Sequence, residues 1–498
     1  MTKARIYISI LTLVVSWQTA ASKPDSLMTE HLGMWQKLTT HQQMNPALHG
    51  IAFTSSFSQL YLKADKLKQS KAFEEEKGDG IFSQEADVQS YLRLSEKTAA
   101  WGSAGYLTGR QKNIRWNSTS DFDLLKPYVL ADSVGGDTRQ ERYHFSGGYA
   151  TRLNHWLLGA EILFMASQEY RDVDPRMRGI VNDLTIRLGT AYNAAGYHWA
   201  IGFQGNIYKQ TNSVVFYREL GVVPEYQMTG LGTEHARFSG DKRTLYYKGE
   251  GEKILFDVTP SAGKGIYGHI EAGENRYRRV LAELNSMPLT DMYVNSLNTI
   301  LGWKNEAWTI DARFDYAERL GDEHIAGTSA STYFPTIGRR TMYKNHLLNT
   351  SLGAMFNRKG SAHWTISAHG GYLLDHERYV YPERRMEYSR FYGQLAAELF
   401  FNPTERLTVQ WRLNTAYYAN ADKRLLLPYS DMRPSIIGKI EDEFAFAKAN
   451  YTDMNTMVRS EYRVTKSYAL FATIEGGYVY CSAGAHQTAA NLSIGVTF

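Results

Sequence analysis

The sequence predicts an all-β fold, a transmembrane antiparallel up-and-down β-barrel of about 18 strands (range about 14–18) with short periplasmic turns and long extracellular loops. Three observations carry this expectation. From about residue 50 to the end, apolar and polar residues alternate with a period of two. Tight turns alternate with longer polar connections. The chain stops on a strand, "ANLSIGVTF", in which Leu492, Ile494, Val496 and Phe498 share one face and Asn491, Ser493, Gly495 and Thr497 the other.

The first residues give a compartment. "MTKARIYISILTLVVSWQTAASKP" has Lys3 and Arg5, an apolar run from Ile6 to Val15, then small residues around Ala20 and Ala21. That is the layout of a secretory signal peptide cleaved near Ala21, and no cysteine near that site offers a lipid anchor. The expected organisation is a signal peptide at 1–21, a periplasmic N-terminal segment at 22–49 and a barrel at 50–498 in the outer membrane of a Gram-negative cell. No later stretch approaches the ~20 consecutive apolar residues of a transmembrane helix. Cys481 is the only cysteine, so hydrogen-bonded structure rather than an internal disulfide must hold the chain together.

The alternation assigns faces. In "AWTIDARFDY", Trp308, Ile310, Ala312, Phe314 and Tyr316 fall on one side, and Thr309, Asp311, Arg313 and Asp315 on the other. "LTVQWRLNTAY" repeats the pattern, with Leu407, Val409, Trp411 and Leu413 opposite Thr408, Gln410, Arg412 and Asn414. Turn residues punctuate these segments near Ser95, Asn154, Asn193, Gly263, Asn305, Gly360, Pro403 and Lys466, whereas 65–85, 112–139, 212–242, 322–340 and 420–443 read as longer polar loops. About eight turns and about nine loops make roughly eighteen strands, with both chain ends on the turn side. Only a closed barrel lets strands face lipid, because closure pairs every backbone N–H and C=O. The last strand is therefore expected to pair with a first strand near Ile51. Its terminal Phe resembles the signal read by barrel-assembly machinery, which with outer-membrane lipid makes up the expected partners.

Composition agrees. There are 34 Tyr, 21 Phe and 10 Trp against 12 Pro, and Trp101, Trp156, Trp199, Trp308, Trp364, Tyr417 and Tyr480 near strand ends suit interfacial girdles. A net charge of +4 with interspersed signs leaves no footprint for nucleic acid.

Several stretches carry a resemblance. "SYLRLSEKTAAWGSAGYLTGRQKNIRWNSTSDFDLLKPYVLADSVGGD", "FSGGYA" and "FYRELGVVPEYQMTGLG" resemble a family of about 500-residue outer-membrane barrels of unknown function from Bacteroidota-type bacteria, across essentially the whole mature chain. The resemblance implies the barrel and brings no catalytic or binding residue with it. "MNPALHG" is similar to the Asn-Pro-Ala near the barrel start of fatty-acid-transporter-like proteins.

Parity supplies the candidate lumen residues: Asp183, Arg187, Asp311, Arg313, Asp315, Arg412, Asp453, Arg459 and Glu461, with Glu161, Asp257, Glu271 and Glu398 beside them. Both signs occur, so they can line a polar pore or neutralise one another and stiffen the wall. In the 113–138 loop, Trp116, Asp121, Asp123 and Tyr128 can bind a ligand, since rings bury area and carboxylates orient it, or they can fold inward as packing. The 213–241 loop offers Phe216, Tyr217, Glu219, Tyr226 and Glu234 in the same way. "DSVGGD" lacks the ligand count of a calcium loop. H-E-x-x-H, G-x-S-x-G and C-x-x-C are absent, and His144, His198, His269 and His369 fall singly on different strands. No catalytic residue, cofactor or metal is expected, and the protein is not expected to be an enzyme. The leading expectation is a channel or accessory uptake component for an unidentified solute, with an uptake-system protein as a further partner. The alternative is a plugged barrel that binds or scaffolds at the surface.

Overall fold

The structure is a computed structural model and describes residues 26–39, 44–217, 225–235, 244–328, 333–428 and 434–498. The signal-peptide expectation at 1–21 and Glu219 lie outside them. Eighteen strands follow in chain order: β1 (Phe57–Gln69), β2 (Gly80–Arg93), β3 (Thr98–Ile114), β4 (Gly136–Leu153), β5 (Trp156–Arg171), β6 (Arg176–Ala194), β7 (Tyr197–Val215), β8 (Thr244–Pro260), β9 (Gly265–Leu281), β10 (Met287–Lys304), β11 (Trp308–Ala326), β12 (Thr336–Arg358), β13 (His363–Tyr379), β14 (Arg384–Thr404), β15 (Leu407–Leu426), β16 (Tyr451–Arg463), β17 (Ala469–Cys481) and β18 (Ala485–Thr497). Each pairs antiparallel with its neighbours. β18 closes on β1, in register from Gln59 opposite Thr497 to Gln69 opposite Gln487. The terminal strand thus has both a partner and a closed sheet. Its partner starts at Phe57 rather than near Ile51, because Ile51 packs against the buried Ala47–Leu48 cluster instead.

The eight turns at one rim match the sequence expectation, and their residues explain them. Ala195 and Gly196 both take positive φ, 53° and 80°, the mirror-image turn that follows the twist of paired strands. At the opposite rim the nine connections are uneven. Those at 172–175, 282–286, 380–383 and 482–484 are tight, while 115–135, 216–243 and 427–450 are long enough to enter the lumen.

The outer face is apolar: Leu62, Ile254, Ile310, Leu352 and Ile474 are all more than half exposed in the isolated chain, whereas Thr309 and Asp311, one step away, are buried. Outward aromatics Trp156, Trp199, Trp308, Tyr417 and Tyr480 are likewise exposed. Trp101 is a correction. It points inward, where its indole N–H donates to Glu161 Oε1 at 2.8 Å, because Gly148 beside it leaves room for the ring. Strands run from 13 to 23 residues. At roughly 3.3 Å per residue and about 45° of tilt, the longest rises about 54 Å, well beyond an apolar band of about 25 Å, so the wall extends past the membrane. Among the described residues no helix is long and apolar enough to cross a membrane; the architecture is that of an outer-membrane barrel.

Candidate functional site

The lumen is filled from both ends. At the long-loop rim the 115–135 connection folds back into the barrel. Its backbone pairs with itself, Trp116 N–H to Asp132 C=O at 2.9 Å and Ser118 N–H to Leu130 C=O at 2.8 Å, and residues 130–131 form a small sheet with 226–230 and 233–234 of the 216–243 connection. Asp132 organises the bend: one carboxylate oxygen accepts from Gly135 N–H, and the other meets Arg171 at 2.9 Å with both side chains fully buried. "DSVGGD" is therefore built around an internal ion pair.

Trp116, Leu125, Tyr128, Leu130, Tyr226 and Met228 of this insert pack on inward-facing Tyr208, Tyr247, Tyr277, Met292, Tyr343 and Tyr379 of the wall. Each fully buried side chain of this size contributes roughly 1.5–3 kcal/mol. The wall also holds the insert's backbone, since Tyr247 donates to Tyr128 C=O at 3.1 Å and the fully buried Arg279 to Met228 C=O at 3.1 Å.

A helix completes this outer closure. The 420–443 stretch read as a polar loop instead finishes β15 and enters α4 (Pro434–Ala447), numbered after three N-terminal helices, α1 (Ser26–Leu32), α2 (Met34–Thr39) and α3 (Pro46–His49). The sequence signal was Ile436, Ile440 and Phe444, buried at a helical spacing of four. Lys439 seats the helix, pairing with Glu443 at 2.8 Å and with Glu76 of the 70–79 connection. Burial, helped by the Glu443 charge, pushes the Glu76 carboxyl up to about 8.

Between α4 and the insert lies a cavity of about 550 Å³, whose lining includes Trp116, Asp123, Lys126, Arg319, Tyr343, Asn345, Leu347, Glu377, Tyr388 and Lys439. A second cavity, of about 470 Å³, is lined by Arg313, Asp315, Asn349, Ser351, His369, Tyr392, Arg412 and Tyr418, with Met34 at its edge. Successive inward positions of β12 join them: Tyr343, Asn345 and Leu347 border the first, Asn349 and Ser351 the second.

At the turn rim the N-terminal segment closes the barrel. Glu398 accepts Met34 N–H at 2.6 Å, and Arg412 bonds both Glu398 and Leu32 C=O. Asn45 caps α3 by accepting from Ala47 N–H and donates to Asp257 at 3.3 Å. The inner wall is bare glycine here: a Cβ on Gly159 would lie 2.4 Å from Pro46, and one on Gly189 2.1 Å from Asn45. "MNPALHG" thus reads as a capped helical turn made to sit on glycine.

All nine predicted lumen residues project inward, and most are matched. Arg187 pairs with Glu161 at 3.0 Å, Arg313 with Asp311 at 2.7 Å, Arg412 with Glu398, and Arg459 with Glu461 at 2.9 Å. Asp183 and Asp315 accept from Asn206 and Asn349, and Asp453 sits half-buried. Of these, Arg313, Asp315 and Arg412 meet at the central cavity; the others lie elsewhere on the wall.

The loop candidates divide. Trp116 and Tyr128 are buried in the insert core, while Asp123 pairs with Lys77 and Lys126 at the edge of the outer cavity. Asp121 accepts from Tyr208 at 2.9 Å, and burial raises its carboxyl despite that bond. Other cavity residues, among them Asn345, Asn349, Glu377 and Tyr392, were not singled out in the sequence, because no local motif distinguishes them from other inward positions.

Residues 46–498 match a family of unknown function, DUF6850. The chain belongs to this family. No curated protein matches this DUF6850 sequence. Among solved structures, the ferric preacinetobactin receptor of Acinetobacter baumannii is similar at 10% identity, over 89% of this chain and 80% of the receptor, with a TM-score of 0.42. The ferripyoverdine receptor of the outer membrane of Pseudomonas aeruginosa is similar at 7% identity, over 90% and 72%, also with a TM-score of 0.42. Nothing about a ligand of this chain follows from likenesses so distant.

Proposed function

We propose that this barrel takes up a small polar solute across the outer membrane through a lumen that is closed at rest. The observation that carries this reading is the stacking of two polar cavities along consecutive inward positions of β12, one beneath α4 and one above the N-terminal segment. Rings beside charged groups suit the capture of a polar ligand, and the outer cavity, of about 550 Å³, falls within the usual size for small-molecule sites. The nearly balanced signs of the wall argue against strong selection for anions or cations. A surface scaffold has no comparable use for the inner of the two cavities.

Conductance in planar bilayers tests this. The intact protein is expected to conduct little, a variant lacking 117–133 more, and one lacking 26–49 as well the most. Each variant is first checked for heat-dependent gel mobility as a sign of a closed barrel. Barrels that assemble but never conduct in any form would return the protein to the scaffold reading.

A further inference from the structure

Four His–carboxylate contacts of 3.0 Å or less occur among the described residues, and one differs from the rest. In three of them the protein satisfies the carboxylate's second oxygen. Asp257 receives Asn45, Glu323 receives Tyr379, and Asp291 receives Arg278 in addition to His324. The fourth joins His144 Nε2 to Asp87 Oδ2 at 2.8 Å, and there the second oxygen, Asp87 Oδ1, is buried outside hydrogen-bond geometry, with the Tyr61 hydroxyl as its polar neighbour across the register. Asp87 is only 2% exposed. Leaving a buried carboxylate oxygen unsatisfied carries its full desolvation penalty, so a water or a cation is expected beside it.

The surroundings are built to bring donors together. Asp87 on β2, Gly105 on β3 and His144 on β4 stand side by side in one row across three strands. Gly105 has no side chain to separate its neighbours: a Cβ there would lie 2.3 Å from His144 Cε1 and 2.6 Å from Asp87 Oδ2. Glu85, two residues from Asp87 on the same inward face, contributes a third donor, and the three donor atoms lie within 4.8 Å of one another. Lys63, opposite Glu85 in the register, is engaged by Asp65 at 3.0 Å. His144 remains 29% exposed to the lumen, so the group can be reached from inside the barrel.

We propose that Glu85, Asp87 and His144 bind a divalent first-row transition-metal ion on the lumen wall. Donors about 2.0–2.2 Å from a common ion stand about 3–4 Å apart, so small side-chain rotations gather these three. An imidazole nitrogen with two carboxylates favours a transition metal over Ca²⁺ or Mg²⁺, which take oxygen donors. Three protein donors leave coordination positions open to lumen water or to a donor group on a passing solute. The site stands apart from the two cavities described above, so its test does not depend on the uptake reading.

The experiment titrates the full-length barrel, purified in detergent and stripped with chelator, with Co²⁺ alone, followed by its visible d–d absorption and by calorimetry. One equivalent is expected to bind. Asp87→Asn and His144→Gln should each weaken binding by about tenfold or more. Gly105→Ala should do the same although it removes no donor, because it fills the gap through which His144 reaches Asp87. His155→Gln, in the tight turn after β4, should leave binding unchanged. No stoichiometric binding, or binding that survives Asp87→Asn in an assembled barrel, overturns the proposal. If Asp87→Asn does not assemble, Glu85→Gln, at a half-exposed position, decides instead.

Discussion

The two closures of this barrel are made of different material. The outer one is a hydrophobic core: Trp116, Leu125, Tyr128 and Met228 interlock with wall tyrosines and with α4, and its Arg171–Asp132 and Lys439–Glu76 pairs are buried. The inner one combines small, separate apolar clusters around Ala47, Leu48, Met34 and Phe53 with hydrogen bonds, in which Glu398 and Arg412 hold the backbone of the N-terminal segment and Asn45 reaches Asp257. One large packed core resists piecemeal opening, whereas a segment held by small separate clusters and a few polar contacts detaches at lower cost. The difference predicts that the inner closure loosens before the outer one.

The hardest blow to this contrast is aimed at the outer core. Arg171→Met strands Asp132 in a dry site and should cost roughly 3–5 kcal/mol, read as a lower denaturant midpoint in detergent. Arg171→Met/Asp132→Asn should recover most of that loss. A wild-type midpoint in the single variant would show that the insert does not behave as a core.

A smaller effect is expected inside. Glu398→Gln removes charge-assisted bonds worth about 1.5–3 kcal/mol, but the loss should appear as faster proteolysis of the N-terminal segment with the 115–135 insert still protected. Simultaneous exposure of both regions would make them one cooperative unit and erase the distinction.

The mildest test uses pH. Glu76, held near 8 by burial and by Glu443, keeps a proton that an unfolded glutamate, at about 4.3, has already lost. Between about pH 4.5 and 8 the folded seat of α4 binds the extra proton, so its stability falls as pH rises through that window. Amide exchange in 434–447, corrected for its intrinsic pH dependence, should be faster at about pH 9 than at about pH 6, and Glu76→Gln should flatten the difference. Equal protection of the wild-type helix at both values would remove α4 from the account.

The wall was legible in the sequence and its contents were not. Trp308 and Thr309 declare their faces because a strand alternates strictly, and the Asn193 to Gly196 stretch declares a turn because Asn and Gly suit one. Parity gives direction without depth, however: Thr309 and Gln410 face the lumen yet are buried, the first beneath Tyr267 and the second against Glu398. Trp101 was misread as a girdle residue because the glycine that makes room for it, Gly148, comes from the neighbouring strand β4. His144 seemed isolated for the same reason, since only the register of β2, β3 and β4 places it beside Asp87. α4 was passed over because its apolar stripe is short and lies within a polar stretch.

Several wall charges find their counter-ion two residues away on their own strand: Lys63 with Asp65, Arg313 with Asp311, Arg459 with Glu461. Each such pair is electrically self-contained. A hairpin duplicated or lost over evolutionary time carries both members of such a pair with it, so these pairs, unlike the cross-strand ones, leave no orphaned charge on the strands that remain.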